Sequence, residues 1–138
     1  GDAANATIQG IDTNKNGIRD DVELAIFKEY PNSAKTRAVL LQYALALQME
    51  MTQTVVNEGT VTAVIEYGDR ASNCLRDSIS NSDMNEYLEL LHNYEGFVKH
   101  HQNNTSERDA YQQDFYKHLG SYSSPNQGCD IDISTLLN

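Results

Sequence analysis

Apolar residues recur at every third or fourth position through most of this chain, a spacing typical of helices that bury one face. Five such segments lie between residues 20 and 120, and each begins near a residue able to cap a helix N-terminus. No segment shows the strict alternation typical of a strand. The sequence therefore predicts an all-α fold, a compact bundle of about five helices joined by short connections.

Residues flanking these segments predict where each helix begins and ends. Asp20 and Asp21 suit the positive end of the first helix, and Pro31 ends it. Later helices are predicted to be capped by Asn32 or Ser33, Thr60, Asp83 and Ser106, and the last is predicted to end at Gly120. The spacing predicts core positions at Val39, Leu40, Tyr43, Leu47, Met51, Val55, Val61, Val64, Ile65, Ser72, Leu75, Ile79, Tyr87, Leu88, Leu91, Tyr94, Val98, Tyr111, Phe115 and Leu119. Gly68 lowers the helix propensity of the third segment, so we expect another part of the chain to pack closely against it.

A dodecamer before the first helix carries the most specific chemical signal, D-T-N-K-N-G-I-R-D-D-V-E at residues 12–23. A calcium loop of the EF-hand type needs oxygen ligands at positions 1, 3, 5, 7, 9 and 12 and glycine at position 6. Those ligand positions hold Asp12, Asn14, Asn16, the carbonyl of Ile18, Asp20 and Glu23, with Gly17 sixth. A polar turn that caps a helix would explain two or three of these residues, but not the whole register. The sequence therefore predicts a Ca²⁺ site.

The dodecamer resembles the D-x-[DN]-x-[DN]-G-[IV]-x-D-x-x-[DE] calcium loops of bacterial secreted and envelope proteins more than a paired, calmodulin-like EF-hand. Position 8 holds Arg19, where paired loops carry an apolar residue. A second loop is missing, since Thr135 stands where the segment 130–134 would need glycine. Sensor EF-hands open as cooperative pairs, so a lone loop favours a structural calcium ion.

The segment before the loop is too short and glycine-interrupted to predict an incoming helix. We therefore expect residues 1–11 to form a flexible N-terminal segment, and residues 12–138 a single helical domain that includes the calcium loop. The chain begins at Gly1 without a leader. We expect an export signal or a lipid anchor to have preceded it.

The formal net charge of −10 argues against nucleic acid or an anionic membrane surface as the main partner. No apolar run approaches the roughly 20 residues of a transmembrane helix. This negative charge favours solubility. A calcium ion bound to the loop would neutralise part of the excess carboxylate charge.

The two cysteines, Cys74 and Cys129, are too few for a zinc site and too far apart for a redox motif. Two unrelated buried thiols are one interpretation. The polar tail around Cys129 offers little core to bury a thiol, which favours a disulfide that docks the C-terminal residues on the bundle. A disulfide indicates an oxidising compartment, so we expect an extracytoplasmic protein, in the periplasm, in the outer envelope or secreted.

No catalytic constellation is recognisable. His100 and His101 are adjacent rather than spaced as ligands on one helix face, and no G-x-S-x-G motif occurs. We expect a binding or scaffold module with a protein partner. The eight tyrosines of this chain fit two interpretations, core edges for most of them or a protein-binding surface for some, and the sequence alone does not separate these. The alternative is a hydrolytic envelope enzyme with an unrecognised active site, which a deep pocket with perturbed acids would support.

Overall fold

The computed structural model describes residues 3–138, and Gly1 and Asp2 of the predicted flexible segment lie outside the described residues. Five α-helices follow one another, α1 (Asp20–Glu29), α2 (Ala34–Thr52), α3 (Glu58–Asp77), α4 (Met84–Gln102) and α5 (Ser106–Tyr116). A short 3₁₀ helix, Ile133–Thr135, lies in the C-terminal tail. Residues 3–138 contain no strand, which confirms the predicted all-α class.

Helix α2 lies at the centre of the bundle and contacts α1, α3, α4, α5 and the 3₁₀ helix. Its sequence, A-K-T-R-A-V-L-L-Q-Y-A-L-A-L-Q-M-E-M-T, is apolar around most of its circumference, as expected for a helix surrounded by others. Its core residues are Val39, Leu40, Tyr43, Ala44, Ala46, Leu47 and Met51. The other helices each need only one buried face, and α3 buries Val61, Val64, Ala71, Cys74 and Leu75.

Two predicted N-caps are confirmed in atomic detail. The Ser33 hydroxyl accepts the backbone N–H of Thr36 at 3.0 Å. The Asp83 carboxylate accepts the N–H groups of Asn85 and Glu86 at 3.1 and 3.2 Å. Both side chains satisfy donors that the first helical turn leaves without a partner.

The predicted caps of α3 and α5 are wrong by one to three residues. Asn57 caps α3. Its side-chain oxygen accepts the backbone N–H of Thr60, and the Thr60 hydroxyl accepts the backbone N–H of Asn57, so the two residues form a capping box. Thr105 rather than Ser106 caps α5. In both cases two neighbouring residues could cap, and the path of the incoming chain selects the earlier one. Helix α5 also ends at Tyr116, before Gly120.

Some predicted core positions lie at the surface. Val55 follows the end of α2 and is 57% exposed, while Leu88 on α4 is 52% exposed. Gly68 does not mark close packing either, because an added Cβ there would meet no atom within 4 Å. It lines an open groove instead. Periodicity identifies the more apolar side of a helix, but it does not tell whether a partner covers all of it.

The sulfur atoms of Cys74 and Cys129 lie at disulfide distance, 2.12 Å, as the sequence predicts. The tail docks only in part. Ile133 packs against the core, whereas Ile131 and Leu137 are 55% and 83% exposed. Within residues 3–138, no helix is long and apolar enough to span a bilayer.

Candidate metal centre

The backbone of residues 12–18 folds into a compact turn around the side chain of Asp12. Its carboxylate accepts the N–H groups of Asn16 at 3.3 Å and of Gly17 at 2.8 Å. Lys15 and Gly17 both have positive φ, +55° and +87°. A Cβ at Gly17 would also lie 2.6 Å from Cδ1 of Leu45, so glycine is required here by both conformation and space.

Three of the predicted ligand residues come into direct contact. The side-chain amides of Asn14 and Asn16 both donate to the carboxylate of Glu23, the former at 3.3 Å. The Asn16 carbonyl oxygen accepts the backbone N–H of Ile18 at 3.0 Å. Ile18 itself turns its side chain into the core and is 6% exposed, which ties the loop to the bundle.

Asp20, at the ninth position, turns away from these residues. Its carboxylate accepts the backbone N–H of Thr13 at 3.0 Å and the Thr13 hydroxyl at 2.6 Å. Both Asp20 oxygens therefore accept hydrogen bonds from Thr13 in this structure.

Among residues 3–138, no group of three or more His, Cys, Asp or Glu side chains is positioned to hold a metal ion. The three carboxylates of the predicted ligand set, Asp12, Asp20 and Glu23, are therefore not gathered around one point in this structure. Carboxylates, side-chain amides and a backbone carbonyl are nevertheless the types of oxygen ligand that a hard cation such as calcium prefers.

Arg19 connects the loop to the end of α4. Its side chain is 1% exposed, and its guanidinium donates to the carbonyls of His101 at 2.7 Å and Gln102 at 3.0 Å. The last carbonyls of a helix lack partners within the helix. Asp21 balances the arginine charge with two further hydrogen bonds. Arg19 thus anchors this lone loop to a helix end, at the position where paired EF-hands carry an apolar residue.

A second buried arginine holds the N-terminal segment. Arg108 of α5 is 1% exposed and donates to the carbonyls of Ala4, Thr7 and Ile8 at 2.7 to 3.1 Å. Gly10 has φ +68°, and a Cβ there would lie 2.4 Å from Cδ of Arg19 and 2.9 Å from Nη2 of Arg108. The sequence predicts a flexible segment at 1–11, whereas residues 4–8 are held by hydrogen bonds to an arginine 100 or more positions away.

Replacing Arg19 by lysine should lower the free energy of unfolding by about 1 to 2 kcal/mol. A single ammonium group cannot reach both helix-end carbonyls and Asp21 with the fork geometry of arginine. Urea denaturation measures the loss. The control is Arg70→Lys, which changes a surface pair with Asp130 at 3.2 Å and should cost less than about 0.5 kcal/mol. Equal losses in the two variants would contradict an anchoring role for Arg19.

Glu50 of α2 is a buried acid, 2% exposed, that was not predicted from the sequence. Its carboxylate accepts the Gln112 side-chain amide at 2.7 Å and the Tyr116 hydroxyl at 2.9 and 3.0 Å. Burial raises the pKa of Glu50 to about 7, although these hydrogen bonds and the Lys99 charge oppose the rise. One signal was available, because Glu50 follows Tyr43 by seven residues and Leu47 by three and therefore shares their buried face.

The glutamines beside this acid complete a polar layer in the core. Gln48, 2% exposed, donates to the Gln9 carbonyl at 2.8 Å and accepts from the fully buried Gln102. Asn103 donates to Gln112, the residue that contacts Glu50. Gln102 and Asn103, at the end of α4 where Arg19 binds, are thus hydrogen-bonded to Gln48 of α2 and Gln112 of α5.

Comparisons with protein-family models, with curated proteins and with solved structures found no significant match for this chain.

Proposed function

We propose that the loop at residues 12–23 binds one calcium ion. Asp12, Asn14, Asn16, Asp20 and Glu23 would supply side-chain oxygens, and Ile18 its carbonyl. The proposal rests above all on the spacing of these residues in the sequence, in register with Gly17, which has the positive φ that the turn of such a loop needs. Bound calcium would draw the Asp12, Asp20 and Glu23 carboxylates together and neutralise part of their charge.

We infer a structural role for the ion. Arg19 anchors the loop to the end of α4 and the adjacent Ile18 lies in the core, so these two residues connect the loop to the bundle. An ion held there would stabilise the junction between the N-terminal segment and α1. Without it, Asp12, Asp20 and Glu23 would repel one another, and the loop and the first turn of α1 would loosen.

We further propose that the domain acts outside the cytoplasm as a binding or scaffold module. The Cys74–Cys129 pair supports an oxidising compartment, where calcium is also abundant. The outer side of α1 supports a protein partner, because Leu24 and Phe27 are 70% and 47% exposed and lie about one helical turn apart. The formal charge of −10 favours such a partner over nucleic acid.

Calcium should release or absorb measurable heat when titrated into chelator-treated protein, and should raise the melting temperature. At a calcium concentration one hundred times the dissociation constant, mass action adds about 2.7 kcal/mol to the free energy of unfolding. Glu23→Gln should weaken binding strongly, since position 12 supplies two oxygens. The control is Glu89→Gln, which removes an exposed carboxylate on α4.

Two results would contradict the proposal. The absence of both heat and a melting shift at millimolar calcium would exclude the site. A calcium-induced rearrangement of the whole bundle, seen as NMR shift changes throughout α2 to α5, would instead indicate a sensor.

A further inference from the structure

A groove with a volume of about 270 Å³ lies over α2 and is lined by residues of α2, α3, α4 and α5. Its most buried lining residues come from α2, namely Tyr43, Ala46, Leu47 and Glu50, each 5% exposed or less. Gly68 of α3 leaves one wall open, since no atom lies within 4 Å of where its Cβ would be. Helix α5 contributes Tyr116. The volume suits a molecule of a few heavy atoms.

The charges that line this groove are mainly negative. Glu50, Asp69 and Glu95 contribute carboxylates, and Lys99 is the one basic residue among the lining residues. Lys99 is 3.8 Å from Glu95 and is thus already paired. Within residues 3–138, no Lys, Arg or His nitrogen lies within 4.0 Å of the Glu50 carboxylate. A buried carboxylate without a cationic partner is costly, and a positively charged ligand would relieve that cost.

The remaining lining residues indicate what kind of cation fits. Leu47, Ile65 and Leu119 offer apolar surface, and Tyr43 and Tyr116 offer aromatic rings. Aromatic faces attract ammonium groups, and apolar walls favour an organic body over a hydrated metal ion. The Gln112 amide and the Tyr116 hydroxyl donate to the Glu50 oxygens and fix the orientation of the carboxylate. Both donors are neutral, so they do not balance its charge.

We propose that this groove binds a small organic cation, a primary amine whose ammonium group pairs with Glu50 and whose apolar body lies against Leu47, Ile65 and Leu119. This site is separate from the calcium loop. Gly68 admits the ligand, which gives a physical reason for a glycine in the middle of α3.

Benzylamine is a suitable probe, titrated into the full chain at saturating calcium and followed by NMR. Shift changes should be confined to the groove, with weaker or no changes for the neutral isostere benzyl alcohol. Glu50→Gln should weaken benzylamine binding by about tenfold or more, because it removes the charge but keeps the size. Gly68→Leu should also abolish binding, because its side chain would fill the groove while raising helix propensity.

The matched control is Glu89→Gln, an exposed carboxylate on α4 that is not among the groove residues, and it should bind benzylamine like the unmodified chain. Equal affinity for benzyl alcohol would show a merely apolar groove and overturn the proposal. Shift changes scattered over the acidic surface, or none at all, would overturn it too. Because Gly68→Leu leaves every carboxylate in place, it tests the groove even if Glu50→Gln fails to fold.

Discussion

Removal of the Cys74–Cys129 bond should lower the free energy of unfolding by about 4 kcal/mol, the largest single effect that we expect in this protein. The bond closes a loop with a sequence separation of 55, and in the chain-entropy model a cross-link of this span restricts the unfolded chain by that amount. The measurement is urea denaturation of a Cys74→Ala/Cys129→Ala double variant against the oxidised protein. Alanine suits the buried site of Cys74, which is 1% exposed.

The same variant should make the tail beyond Gly120 more sensitive to protease. Some contacts would remain, since the Asp130 N–H donates to Gln42 at 2.9 Å and the Tyr67 hydroxyl to the Asp130 carboxylate at 2.7 Å. We therefore expect cleavage confined to the tail, with the helices intact below the melting temperature. A count of two free thiols in denatured, unreduced protein would refute the bond, and with it a main support for an extracytoplasmic location.

Glu50 should make this protein lose stability as the pH rises, by up to about 3 kcal/mol between pH 4 and pH 9. Burial raises the pKa of Glu50 from 4.5 in the unfolded chain to about 7 in the folded one. The folded state therefore holds the proton more tightly. The resulting stabilisation is fully present below the unfolded pKa and disappears as the pH rises through the folded pKa.

Glu50→Gln should remove this pH dependence. The glutamine carbonyl can accept from Gln112 and Tyr116 without ever becoming charged, so the variant should match the unmodified chain near pH 4 and exceed its stability at pH 9 by up to about 3 kcal/mol. Urea denaturation across this pH range measures the difference between the two curves. The control is Glu89→Gln, an exposed substitution, whose curve should run parallel to that of the unmodified chain. Parallel curves for Glu50→Gln would mean that the carboxylate is solvated rather than buried.

The helices could be predicted from the sequence because their signals are local. The spacing of apolar residues predicted α2 and most of its core. Ser33 and Asp83 were predicted as N-caps because their short polar side chains can accept backbone N–H groups. The predictions at Thr60 and Ser106 missed because each has a second capping residue nearby, and only the path of the chain decides between them. Two cysteines allow one pairing, but the sequence also allowed two separate buried thiols, and it is the fold that brings the two sulfur atoms to disulfide distance.

The sequence by itself determined the all-α class and the caps at Ser33 and Asp83, because each depends on residues within one or two helical turns of one another. The tertiary structure alone decided which polar groups are buried. Arg19 and Arg108 appear as ordinary charges until the end of α4 and the segment 4–8 are brought to them from 80 or more residues away. The environments of Glu50 and Gly68 likewise depend on where α5 and α3 lie against α2. The spacing of apolar residues along one helix does not show which other helix will pack against it.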